Sequence, residues 1–91
     1  MQKIVINADF GGFRLSDLGM KTYKSLGGQV DYARDIPRDC PILIKVIEQL
    51  GNKANDHCSK LKIVEIPDNV QWEINEYDGL EHVAEKHRTW R

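Results

Sequence analysis

No apolar run in the chain exceeds four residues. Nothing in it is therefore long enough to cross a bilayer or to form the core of an export signal. Cysteine is scarce: Cys40 and Cys58 are too few for a disulfide scaffold. Without an export signal they read as reduced thiols in a cytoplasm. Charge of one sign is also missing. Thirteen Lys and Arg against fourteen Asp and Glu leave a net charge of −1, which weighs against a nucleic-acid binder held by a basic surface. There are no internal repeats, low-complexity tracts or linkers. With 91 residues and 41% hydrophobic content, the expectation is one α/β domain over 1–91.

Reaction motifs are absent too. No HExxH or CxxC spacing marks a metal site, and His82, Glu85 and His87 do not share one face of a strand. No Ser or Cys stands beside a His in a motif that marks an activated nucleophile. The composition and motifs imply neither cofactor nor metal.

What is present begins at the N-terminus. Ile4, Val5 and Ile6 form an unbroken β-branched run, which predicts a strand buried on both faces. The chain then turns on Gly11-Gly12 and reaches Ser16, a good helix N-cap, with Asp17 in the first turn. Leu15 and Met20 have the spacing of a hydrophobic staple, Leu18, Tyr23 and Leu26 add apolar contacts, and Gly27-Gly28 end the helix. Val30, Tyr32 and Ile36 fall on one parity, so 29–36 reads as a short edge strand stopped by Pro37.

Asp39 or Cys40 caps a second helix, with Pro41 in its first turn. Leu43, Val46, Ile47, Leu50 and Ala54 make its core stripe; Gly51 either ends the helix or lies within it, and the period maintained by Ala54 favours an end near Asn55-Asp56. Residues 61–67 predict another strand. Val70, Trp72 and Ile74 alternate with polar residues, and Asp78-Gly79 is a two-residue hairpin signal. The return strand runs from Glu81 to His87, with a terminal helix as the competing reading. The expected fold is a small mixed sheet with two helices on one face, in the order β-α-β-α-β-β-β.

Three strings carry a family resemblance: KIVIN…GGFxLS from Lys3, RDxPxLxxVIExLG from Arg38, and VEIPxxVxWxIxEYDGxExVAExHRTW from Val64. Together they resemble a family of small proteins encoded by tailed phages and prophages. The chain departs from that pattern at Ala8 and Asp9, where the family carries a Cys and an aromatic, so a role tied to that thiol is absent. The resemblance implies a small protein in the cytoplasm of an infected bacterium and assigns it no activity.

Two stretches are candidate binding sites. Gly11, Gly12, Phe13, Arg14 and Ser16 place flexible backbone N–H groups, a guanidinium and a helix N-terminus together, a set that suits a phosphate or carboxylate. The Gly-Lys-Ser/Thr ending of a P-loop is missing. The tail offers His87, Arg88 and Trp90, able to grip a phosphate and stack on a base. These features point to a non-enzymatic binding protein that captures a host small molecule, such as a nucleotide-like signal, or a host protein. The alternative is a small hydrolase or phosphotransferase using His87 and the acids of the hairpin, Glu73, Glu76, Asp78, Glu81 and Glu85. A thinly apolar last hairpin adds the expectation of a homo-oligomer.

Overall fold

A computed structural model of the chain describes residues 1–56 and 59–86. Its four strands and two helices are β1 (Gln2–Asn7), α1 (Asp17–Ser25), α2 (Pro41–Leu50), β2 (Leu61–Ile66), β3 (Trp72–Tyr77) and β4 (Leu80–Glu85). The protein is a mixed α/β fold. The strands do not form the single mixed sheet expected from the sequence. They make two small antiparallel sheets, β1 with β2 and β3 with β4.

β1 is buried along most of its length because of its composition. Ile4, Val5, Ile6 and Asn7 are all buried. Ile4 faces Val64 and Ile6 faces Lys62 across the ladder. Val5, on the alternate face, joins the core under the helices with Phe13, Leu15, Tyr23, Ile36, Leu43, Val46, Ile47 and Ala54. The β3–β4 hairpin turns at Asp78-Gly79, both with positive φ, as a type I′ connection requires. Its register sets Ile74 opposite Val83 and Glu76 opposite Glu81, so Trp72, Ile74, Val83 and Glu81 share one face. The return segment is a strand to Glu85; the expected continuation to His87 lies outside the described residues.

α1 starts where Ser16 caps it. The Ser16 hydroxyl accepts the Gly19 N–H at 3.0 Å and donates to the Lys53 carbonyl at 2.7 Å. Leu15 and Met20 both reach the core, as the staple spacing predicts. Leu18 and Leu26 do not: they stand exposed, and Tyr23 is the apolar side chain that α1 buries. The helix is short enough that its buried face is supplied by one turn.

α2 begins at Pro41, with Cys40 at the cap position and no side-chain cap bond. It ends at Leu50, earlier than the periodicity predicts. Gly51 takes φ 55°, and a 3-10 turn over Gly51–Ala54 carries Ala54 into the core. A tighter helix preserves the burial of Ala54 while releasing the α-helical hydrogen bonds.

The expected strand over 29–36 is absent. A 3-10 turn stands there, closed by Asp35 N–H to the Tyr32 carbonyl and Ile36 N–H to the Ala33 carbonyl. Ile36 is buried as its parity predicts, whereas Tyr32 is exposed. The physical reason lies in β1. Its free edge is occupied by other groups: Val5 N–H donates to the Arg38 carbonyl at 2.8 Å and Asn7 N–H to the Glu81 carboxylate at 2.8 Å. A strand without a ladder to join has nothing to satisfy its backbone.

Burial separates the two helices energetically. Leu43→Ala or Ile47→Ala is expected to cost about 2–4 kcal/mol, because each removes buried methyl groups and leaves a cavity. Leu18→Ala, at an exposed site of α1, should stay within about 0.5 kcal/mol of the parent. Urea unfolding of the three variants measures the contrast.

Candidate functional site

The loop leaving β1 is fixed from beneath by a buried asparagine. Asn7 Nδ2 donates to the Asp9 carbonyl at 2.6 Å and to the Gly79 carbonyl at 2.7 Å, and its Oδ1 accepts the Lys60 N–H at 2.9 Å. Gly11 and Gly12 follow with φ 126° and 98°, a conformation that favours glycine. Their surroundings differ from the open cradle that the sequence implies. Gly11 N–H donates to the Asp78 carbonyl at 3.2 Å, and a Cβ on Gly79 would lie 2.3 Å from the Gly12 nitrogen. The tip of the hairpin is packed against the glycine turn.

Phe13 and Arg14 point in different directions from there. Phe13 is buried, and the Arg38 guanidinium stacks 3.7 Å from its ring centre. Arg38 also grips Glu81 with both nitrogens of its fork, one of them 2.9 Å from Oε2. Both side chains of this ion pair are largely shielded from water. Planar bidentate pairing and stacking on a ring are what a guanidinium does better than an ammonium.

Arg14 is exposed, and its carbonyl accepts the Ser59 hydroxyl at 2.9 Å, which fixes the backbone and leaves the guanidinium free to project. It borders a groove of about 500 Å³. Phe13, Leu15 and Met20 form the apolar floor, and Asp31, Tyr32, Ala33, Arg34 and Asp56 complete the lining. Arg34 sits 5.4 Å from the centre of the Tyr32 ring. Asp31 is bound by Lys24 at 2.8 Å, and that hydrogen bond, reinforced by the ammonium charge, holds its carboxyl below the usual carboxylate range. Among the described residues neither Arg14 nor Arg34 forms an ion pair.

The start of α1 is a different environment. Ser16 is consumed as cap, and the hollow beside it is lined by Ser16, Asp17, Asn55 and Asp56. Asp17 and Asp56 there compensate the helix dipole, whereas the groove sets Arg14 and Arg34 against Asp31 and Asp56.

Of the residues singled out from sequence, Phe13 and Arg14 therefore meet at the groove. Gly11 and Gly12 lie under the hairpin, and Ser16 is spent on its helix. His87, Arg88 and Trp90 lie outside the described residues, as does Cys58; the Cys40 thiol is free. Glu81, read from sequence as one of the acids of a hydrolase, is buried and paired. Sequence reasoning missed Arg34 and Tyr32, which it placed on a strand, and Arg38, for which no local pattern signals a partner 43 positions away. Among the described residues no group of three His, Cys, Asp or Glu side chains is arranged to hold a metal ion. No protein-family profile, curated protein or solved structure matches the chain.

The ion pair generates a stability prediction. Glu81→Ala leaves the shielded Arg38 guanidinium and the Asn7 N–H without their acceptor, and should cost about 3–5 kcal/mol. Arg38→Met together with Glu81→Leu should cost less than the two single changes added, because it leaves no uncompensated charge. A double-mutant cycle by denaturant unfolding reads the coupling directly.

Proposed function

We propose that the chain is a small phage-encoded protein that binds without catalysing. In this reading it captures a host component, a nucleotide-like signal or a host protein, in the cytoplasm of the infected bacterium and so counters host defence. The resemblance carried by the KIVIN, GGFxLS and VEIPxxVxW strings supports the setting. The observation that supports binding is the groove beside Arg14, with two guanidiniums outside any ion pair among the described residues, an exposed phenol ring and an apolar floor. Guanidinium forks match the oxygens of a phosphate, and a flat base matches the ring and the floor.

The acids of the hairpin lend little to a hydrolase. Glu81 is committed to Arg38, and Glu73, Glu76, Asp78 and Glu85 are exposed. A general acid or base needs an environment that tunes it, and open water provides none. The same reading includes a homo-oligomer, supported by Trp72, Ile74 and Val83, which remain only half-buried on the hairpin.

The test is incubation with a panel of mononucleotides and cyclic nucleotides, followed by mass spectrometry of both protein and solution. Retention of an unchanged nucleotide is the expected result, and turnover would sink the binding reading. Arg14→Ala and Arg34→Ala should each weaken that nucleotide by roughly ten- to a hundredfold, the loss of one charge-assisted partner, with the circular dichroism spectrum unchanged. Light scattering at micromolar concentration should give a mass above the 10.5 kDa of one chain.

A further inference from the structure

We infer that the junction of the glycine loop and the hairpin tip is a second binding surface, an acidic aromatic edge that docks a Lys- or Arg-bearing segment of a partner protein. It is separate from the groove and does not rest on the nucleotide reading.

Phe10 and Tyr77 are the carriers. Each immediately precedes one member of the hydrogen bond from Gly11 N–H to the Asp78 carbonyl, so the two aromatics leave the junction from adjoining backbone. That backbone is held firmly. Asn7 Nδ2 binds the Gly79 carbonyl, and Gly79 rests directly on Gly12. Yet Phe10 is 57% exposed and Tyr77 71% exposed. The backbone that carries these exposed rings is already ordered, so docking would cost only the freedom of the side chains.

Charge complementarity identifies the occupant. Asp9, Glu76 and Asp78 flank the two rings in sequence, and Glu73 shares the strand face of Tyr77. No Lys or Arg occurs from Asn7 to Phe13 or from Pro67 to Glu81. Two of these acids are oriented by the turns themselves: Asp9 Oδ1 accepts the Phe10 N–H and Glu76 Oε1 accepts the Gly79 N–H, at 2.8 and 2.9 Å. The Asp78 carboxylate has neither hydrogen bond nor ion pair among the described residues. Ring faces and carboxylates attract the same group, a guanidinium or ammonium. The protein already uses that chemistry internally, where Arg38 lies between the Phe13 ring and Glu81. A partner segment with two or more cationic side chains would repeat it at the surface.

The experiment titrates the full chain into a fluorescein-labelled peptide of five Arg-Gly repeats and follows anisotropy at low and at moderate salt. Saturable binding that weakens with salt is expected. Phe10→Ala and Tyr77→Ala should each lower affinity about three- to fivefold, as for loss of one exposed cation–π contact. Asp78→Asn should lower it as well, and Asn-Gly is itself a preferred type I′ turn, so that variant keeps the hairpin. Asp68→Asn removes an equal charge from the other end of β1, beside the N-terminal amine, and should leave affinity unchanged. Arg14→Ala and Arg34→Ala should also leave it unchanged, which separates this surface from the groove. Absence of saturable binding up to millimolar protein overturns the inference. Equal losses for Asp68→Asn and Asp78→Asn overturn it too, since they would mean diffuse charge. Displacement of the peptide by spermidine at equal cationic charge overturns it by making the edge a polyamine site.

Discussion

Arg38 and Glu81 lie 43 positions apart and meet at the free edge of β1, where both act on the backbone as well as on each other. The Arg38 carbonyl takes the Val5 N–H, and the Glu81 carboxylate takes the Asn7 N–H. A buried strand with one unpaired edge is a liability in a small protein, because its N–H groups must be satisfied or exposed. Here a main-chain carbonyl and a carboxylate cover alternate donors along that edge. The hairpin, the segment before α2 and the glycine loop are all positioned by this arrangement, since Phe13 lies under the same guanidinium.

The covered edge has consequences for chemistry. A carboxylate that neutralises a shielded guanidinium and accepts a backbone N–H has no capacity left for proton transfer to a ligand. In the glycine turn the Gly11 N–H is likewise turned toward the hairpin, donating to the Asp78 carbonyl. The group of the loop left to meet an anion in the proposed role is the Arg14 side chain, two residues beyond Gly12. It faces Arg34 and Tyr32 across an apolar floor.

Two surfaces of opposite character thus emerge from one loop. Arg14 opens onto a groove with a second guanidinium, while Phe10 stands beside the acidic hairpin tip on the other side of the glycines. Only three residues separate Phe10 from Arg14, so the buried Phe13 and the glycine turn decide which face each one serves. A rigid scaffold that displays unlike surfaces on short loops suits the binding role we propose.

The elements with a complete local signal were legible in the sequence. Three β-branched residues in a row determined that β1 is buried on both faces; Ser16 determined the start of α1, the Leu43-Val46-Ile47 stripe the buried face of α2, and Asp78-Gly79 the hairpin. Phe13 and Arg14, singled out because a glycine turn before a helix is itself a local pattern, both border the groove. Three things were decided only by the tertiary structure. The segment 29–36 has the alternation of a strand, but the edge it needed was occupied by Arg38 and Glu81. The glycine turn has the composition of a cradle, but the hairpin fills it. Tyr32 and Arg34 became groove residues only because that failed strand closed into a 3-10 turn opposite Arg14. Periodicity and caps are short-range quantities that one segment can carry alone, whereas the occupant of a strand edge is set by competition among distant groups for the same donors.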